Sequence, residues 1–63
     1  MTREEMISKL WDMISTKDIP TIKKADSICG DWNSEHDDQE IFMTFDYDNG
    51  IIGLEDDSVY IYE

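Results

Sequence analysis

Carboxylates are the most numerous side chains in this sequence that could take part in catalysis or binding: sixteen of its 63 residues are Asp or Glu. Acid–base catalysis would need one carboxyl group that is buried and has a shifted pKa, whereas these acids fall in predicted turns and on an exposed strand. The single histidine, His36, lies in a polar segment, and the single cysteine, Cys29, has no basic neighbour to lower its pKa. We therefore expect a binding protein, not an enzyme, with no cofactor.

The segment Asp46-Tyr47-Asp48-Asn49-Gly50 superficially resembles the start of a calcium-binding EF-hand loop. That loop needs glycine at its sixth position and a bidentate acid at its twelfth. Counting from Asp46, the sixth residue is Ile51 and the twelfth is Asp57, so the required glycine is missing. The sequence predicts no dedicated metal site, and loose cation binding by clustered acids is a third-ranked hypothesis.

The charge is confined to one half of the chain. The formal net charge is −11, yet residues 1–30 contain five acids and five bases, while residues 31–63 contain eleven acids and no Lys or Arg. A one-sided field of this kind indicates a positively charged partner. It also repels phosphates, so we expect no direct binding of DNA or RNA.

Length and composition favour a single domain, residues 1–63. Hydrophobic residues make up 40% of the chain, which is enough to fold despite the charge. One cysteine permits no internal disulfide, and no apolar stretch approaches the length of a membrane span. We expect a soluble protein of a reducing cytoplasm, without a membrane partner, that is a monomer or a weak homodimer.

Two helices are predicted in residues 2–27. A capping-box pattern, Thr2-x-x-Glu5, precedes apolar residues at helical spacing, so the first helix is expected over about residues 2–17. Pro20 suits the first turn of a second, short helix. The segment Ser27–Trp32 is either the end of that helix or a strand, and the strand is slightly favoured. Asn33–Gln39 is expected to be a polar loop.

Residues 28–63 are predicted to form an antiparallel β-meander. Asn49-Gly50 is a strong hairpin signal, and as a two-residue type I′ loop it pairs Phe45 with Leu54. A turn at residues 55–58 then pairs Ile52 with Ile61. This register sorts the apolar side chains onto one face: Ile41, Met43, Phe45, Tyr47, Ile52, Leu54, Val59 and Ile61. The predicted fold class is α+β, with an N-terminal helix and a short second helix packed on one face of a three- or four-stranded antiparallel meander.

The meander also predicts where the partner-binding residues gather. The loop that enters the predicted strand Glu40–Tyr47 and the turn at Glu55–Asp57 lie at the same end of the sheet. They should form an acidic edge, which consists of Glu35, Asp37, Asp38, Glu40, Glu55, Asp56 and Asp57. Asp46 and Asp48 are expected two residues apart on the outer face, about 6.6–6.8 Å at the usual strand rise. The outer face should also carry an apolar patch, with Tyr60 and Tyr62 contacting the partner beside Phe42 and Ile51.

In size, charge and economy of fold the chain resembles the small acidic proteins that phages make to occupy host DNA-binding or defence proteins. The resemblance rests on no motif, so it assigns no role to any residue. It implies an inhibitor that mimics nucleic acid and blocks a basic nucleic-acid-binding surface of a host or defence protein. The alternative is a protein–protein adaptor or regulatory subunit that binds through the apolar outer face.

Overall fold

A computed structural model describes residues 1–61. The three strands form one antiparallel sheet in the order β1-β2-β3. The two helices packed against this sheet confirm the predicted α+β fold class. In chain order the elements are α1 (Arg3–Ile14), α2 (Ile19–Glu35), a 3₁₀ turn (Asp37–Gln39), β1 (Met43–Asp46), β2 (Ile51–Leu54) and β3 (Asp57–Tyr60).

α1 begins at the predicted capping box. The Thr2 hydroxyl accepts a hydrogen bond from the backbone N–H of Glu5 at 3.2 Å, and the Glu5 carboxylate accepts one from the backbone N–H of Thr2 at 2.9 Å. Hydrogen bonds from Thr2, first that of its backbone, lower the pKa of Glu5 because they favour the ionised form. The helix ends at Ile14, earlier than predicted, and Lys17 then adopts a left-handed φ of 56° that an α-helix does not allow.

α2 is longer than predicted and contains the segment that was assigned to a strand. The Asp18 carboxylate caps it by accepting from the N–H of Thr21 at 3.2 Å, and Pro20 lies in its first turn as expected. The helix continues through Ser27–Trp32, so the strand interpretation of that segment is wrong. The reason is an apolar stripe at helical spacing, all of it buried against the core: Ile22, Ala25, Cys29 and Trp32.

The polar segment Asn33–Gln39 is also more regular than predicted. Its first part is the last turn of α2, and its second part is the 3₁₀ turn. Gly30 does not end the helix. Its cost inside a helix, about 1 kcal/mol relative to alanine, is outweighed by burial of the neighbouring stripe. Helical structure therefore extends to Gln39 instead of residue 27, and the sheet begins at Met43 instead of residue 28.

The first hairpin is shifted from the predicted register by two residues. Phe45 pairs with Ile52 where the sequence predicted Leu54, so residues 47–50 form a four-residue loop. Of these loop residues only Gly50 has a positive φ, 68°. A type I′ turn needs positive φ at both central residues, so the two-residue turn is excluded.

The second hairpin is shifted by two residues as well. Ile52 pairs with Val59 where Ile61 was predicted, and the connecting two-residue turn begins at Glu55, whose φ is 58°. Because side chains alternate along a strand with a period of two, an even shift leaves every side chain on its predicted face. Tyr47 and Asp48 are exceptions because both lie in the loop, and Tyr47 is 40% exposed.

The core lies between the helices and the inner face of the sheet. None of the described helices is long and apolar enough to cross a membrane. Both helices and the sheet contribute buried side chains to this core. Within residues 1–61 the buried apolar residues are Met6, Leu10, Ile14, Ile22, Ala25, Cys29, Trp32, Ile41, Ile52, Leu54 and Ile61.

Candidate functional site

The acidic edge forms at one end of the sheet. The register places the first residue of β1, the last of β2 and the first of β3 side by side. The backbone N–H of Glu55 donates to the carbonyl of Phe42 at 2.8 Å, which extends the pairing of β1 and β2 beyond that row. The segment that leads from Glu40 into β1 and the turn after β2 are therefore neighbours. Every side chain of the acidic edge is exposed except that of Glu55, which is half-buried.

The start of α1 and the end of α2 reach the same end of the molecule. Glu35, Asp37 and Asp38 adjoin His36 and Gln39 in the chain, so they join the acids of the sheet. The two helix ends meet around a shallow, open depression of about 600 Å³, which is lined by Met1, Thr2, Arg3, Glu4, His36 and Gln39.

Arg3 is a cation that the fold brings into the acidic edge. Its guanidinium donates to the carbonyl of Glu40, at 3.0 Å from Nη2 and 3.3 Å from Nε, and forms an ion pair with the carboxylate of Glu55. Both ion-paired side chains are about a third exposed, so the pair contributes at most about 1 kcal/mol. Residues 31–63 contain no Lys or Arg, so this cation comes from the other half of the chain. Six of the seven remain without a cation partner in the described part of the chain.

The acidic edge also stands at the negative end of the α2 dipole. The last turn of α2 has no basic residue, while Glu35 ends the helix and Asp37 and Asp38 follow it. The C-terminal carbonyls of a helix carry about half a negative charge, and nearby cations stabilise them. Acids at this position lower stability, by roughly 0.3–1 kcal/mol each at low ionic strength. Their placement concentrates negative potential instead of neutralising it.

Hydrogen bonds to the backbone fix the segment between α2 and β1. The Trp32 indole Nε1 donates to the carbonyl of Gln39 at 2.8 Å. The Asn33 amide donates to the carbonyl of Ile41 at 2.9 Å and accepts from its N–H at 2.7 Å. The His36 ring stacks on Trp32 with ring centroids 3.9 Å apart. The acids of this segment therefore project from a pre-organised backbone, which lowers the entropy cost of binding.

Asp46 and Asp48 do not belong to the acidic edge. Both lie at the opposite end of the sheet, where β1 ends and the loop to β2 follows. The Asp46 carboxylate accepts from the backbone N–H of Asn49 at 3.2 Å and from its side-chain amide at 2.7 Å, which stabilises the loop. Asp48 lies in that loop and not on a strand, so the predicted strand spacing between the two carboxylates is wrong.

The outer face of the sheet is less continuous than predicted. Phe42 and Tyr60 are 60% and 67% exposed, but Ile51 is half-buried. Phe42 stands before β1 at the acidic-edge end, and Tyr60 ends β3 at the opposite end. Four residues along the strands and two strands across separate their Cα atoms by about 16 Å. The predicted patch is reduced to Ile51 and its neighbour Tyr60, and Tyr62 lies outside the described residues.

The thiol and the imidazole do not form a nucleophile–base pair. Cys29 is 3% exposed and its Sγ donates to the carbonyl of Ile41 at 3.5 Å. Burial raises the pKa of this thiol, and the carboxylate of Asp26 raises it further. The His36 ring lies against Trp32, with Nδ1 at 3.3 Å from the Trp32 carbonyl. Over residues 1–61, no three His, Cys, Asp or Glu side chains are grouped so as to hold a metal ion.

Sequence reasoning missed three residues at this end: Arg3, Glu4 and Asn33. The capping box does place Arg3 and Glu4 in the first turn of α1, but only packing decides what that turn lies against. Asn33 follows Cys29 by four positions, so a helical interpretation would have directed it to the same side as the core.

Comparison of the chain with protein-family models, with curated proteins and with solved structures finds no significant match.

Proposed function

We propose that this protein is an inhibitor that mimics nucleic acid and occupies the basic, nucleic-acid-binding surface of another protein. The acidic edge is the observation that carries the proposal. Six carboxylates, which have no cation partner within residues 1–61, project from a hydrogen-bonded backbone at the negative end of a helix dipole. Lys and Arg side chains that bind phosphates along a nucleic acid would meet carboxylates instead.

The density of charge is comparable to that of DNA. Residues 31–63 contain eleven acids. Duplex DNA carries one negative charge per roughly 1.7 Å of axis, so eleven charges correspond to about 19 Å of duplex. The seven acids of the acidic edge alone correspond to about 12 Å of duplex, a length that fits within the 34 × 17 × 16 Å of the structure.

The loss of folding stability that the acidic edge causes supports a binding function for it. A domain of 63 residues has a total stability of only about 3–9 kcal/mol. Like charges at one end, placed at the unfavourable end of a helix dipole, reduce that margin. Acids spread over the exposed helix surfaces would give the same net charge at a lower cost.

The partner that this chemistry fits is a basic protein that handles nucleic acid, such as an enzyme or a defence complex of a bacterial host. Tyr60, which is exposed on the outer face, is a further contact residue in the proposal. A second hypothesis, an adaptor that binds through the outer face, has the Ile51–Tyr60 pair in its favour. The separation of Phe42 from that pair divides the apolar surface on which this second hypothesis depends.

Two variants with the same net charge test the proposal. The first replaces four acids of the edge with Asn: Asp37, Asp38, Asp56 and Asp57. The control replaces four exposed acids elsewhere with Asn: Asp12, Asp26, Asp31 and Asp48. Each variant, and the parent, is immobilised and exposed to a bacterial lysate at 50 mM and 500 mM salt. The captured proteins are then challenged with duplex DNA.

We expect the parent and the control to capture nucleic-acid-binding proteins that free DNA and high salt release, and the edge variant to lose them. Charge-directed binding weakens steeply with ionic strength. Capture that survives 500 mM salt and excess DNA would favour the adaptor. Equal capture by the edge variant and the control would contradict the proposal.

A further inference from the structure

The outer edge of β3, with which nothing in residues 1–61 pairs, is a second surface feature suited to binding a protein. We propose that β3 accepts an extended, positively charged segment of a partner protein as a fourth strand of the sheet. The expected positive charge of that segment rests on the proposed function, whereas the pairing itself rests on the backbone of β3.

The hydrogen-bond register shows which groups of β3 point outwards. The N–H of Ile61 donates to the carbonyl of Gly50 at 2.8 Å, so these two residues form a hydrogen-bonded pair. Antiparallel pairs alternate, so Val59 also bonds to β2, while Ser58 and Tyr60 direct their N–H and C=O groups away from the sheet. Both residues are exposed, and within residues 1–61 nothing pairs with those outward groups.

The edge of β1, by comparison, is occupied at its start. The same alternation, fixed by the bond from Glu55 to Phe42, directs the backbone groups of Ile41, Met43 and Phe45 outwards. The Asn33 amide of α2 already binds both groups of Ile41, as an adjacent strand would. Met43 and Phe45 are partly buried against the core. α2 therefore already occupies the start of the β1 edge at Ile41, whereas Ser58 and Tyr60 on the β3 edge are exposed.

Charge decides between a partner protein and a second copy of this chain. Asp56 and Asp57 stand at the start of β3, and Asp46 lies in the same row of the sheet as Tyr60 at its end. Residues 31–61 contain no Lys or Arg. Pairing of two β3 strands would bring two chains of charge −11 together, whereas a basic segment would be attracted along the whole edge. Addition of a strand to a sheet edge is a general mode of peptide recognition.

The probe for this proposal is a synthetic eight-residue peptide of alternating Lys and Thr, blocked at both ends. A matched peptide is N-methylated at alternate residues, which keeps the charge but removes the donors on one edge. Binding is measured by NMR, together with the hydrogen exchange of the Ser58 and Tyr60 amides. We expect at least tenfold weaker binding of the methylated peptide, and slower exchange at both amides with the unmodified one.

Ser58→Pro tests the same edge from the side of this protein. It removes an outward N–H and leaves the bonds between β2 and β3 intact, as proline on an edge strand allows. Ser58→Ala is the matched control that keeps the N–H. We expect Ser58→Pro to weaken binding of the unmodified peptide about tenfold and Ser58→Ala to leave it unchanged.

Equal binding of the two peptides, or unchanged exchange at both amides in the parent, would overturn strand addition even if Ser58→Pro fails to fold. If exchange at these amides slows when the protein concentration is raised without peptide, a second copy of this chain binds the edge. That result would overturn the proposal that the edge binds a basic segment of a partner protein. Neither measurement involves DNA competition, so the mimic could fail in its own test while strand addition stands, or the reverse.

Discussion

Asn33 is the side chain on which the geometry of the acidic edge depends, and we expect its removal to cost a large part of the stability of this fold. Its amide binds both backbone groups of Ile41, a residue only 1% exposed. Asn33→Ala leaves the N–H of Ile41 without a partner and its carbonyl with only the weak bond from Cys29. An unsatisfied buried backbone group costs about 1–3 kcal/mol.

Two such groups, one of them partly compensated, give a loss of about 2–4 kcal/mol. The whole domain is worth about 3–9 kcal/mol, so the variant should lose roughly half its stability. Urea unfolding followed by tryptophan fluorescence measures this directly, since Trp32 lies one residue away. With a slope of about 1 kcal/mol per molar urea, the midpoint should fall by about 2 M or more. A loss below about 0.5 kcal/mol would refute the assigned role of Asn33.

Asn33→Asp is the sharper form of the same test. It keeps the acceptor for the Ile41 N–H but places a carboxylate oxygen against the Ile41 carbonyl, so the folded protein favours the protonated acid and its pKa is raised above the usual value of about 3.9. A raised folded pKa contributes stability that is present at low pH and is lost as the pH rises through it. Relative to the parent, this variant should be more stable at pH 4 than at pH 7. The same deficit at both pH values would show that the donated bond has no role.

Two further predictions concern the α2 helix. Asp18→Ala removes the carboxylate that accepts from the Thr21 backbone, and should cost about 1 kcal/mol in urea unfolding; an unchanged midpoint would contradict the assigned cap. Cys29 should resist a thiol reagent in the native protein at pH 8, because burial and then Asp26 raise its pKa, and should react when urea unfolds the chain. Rapid modification of the folded protein would show that this part of α2 opens readily.

Some elements were predicted correctly in part, and they show which features of the fold a sequence pattern encodes. The faces of the sheet were predicted although both registers were wrong, because each error was of two residues and the pleat repeats every two. The pairing error came from Asn49-Gly50, whose local preference for a tight turn yielded to a four-residue loop held by Asp46. The strand assigned to Ser27–Trp32 failed because the helical stripe of α2 buries Cys29 and Trp32 against the core, and an inward-facing pattern over a short segment fits both structures.

The sequence by itself determined the α+β class, the capping box of α1, the apolar face of the sheet and the confinement of net charge to residues 31–63. All of these depend on composition, or on periodicity within one segment. Only the tertiary structure decided that Arg3 pairs with Glu55, and that Asn33 binds the backbone of Ile41 ahead of β1 while nothing within residues 1–61 pairs with the outer edge of β3. These are contacts between segments distant in the chain. No local pattern encodes them, because they arise from the way two helices and a sheet share one core.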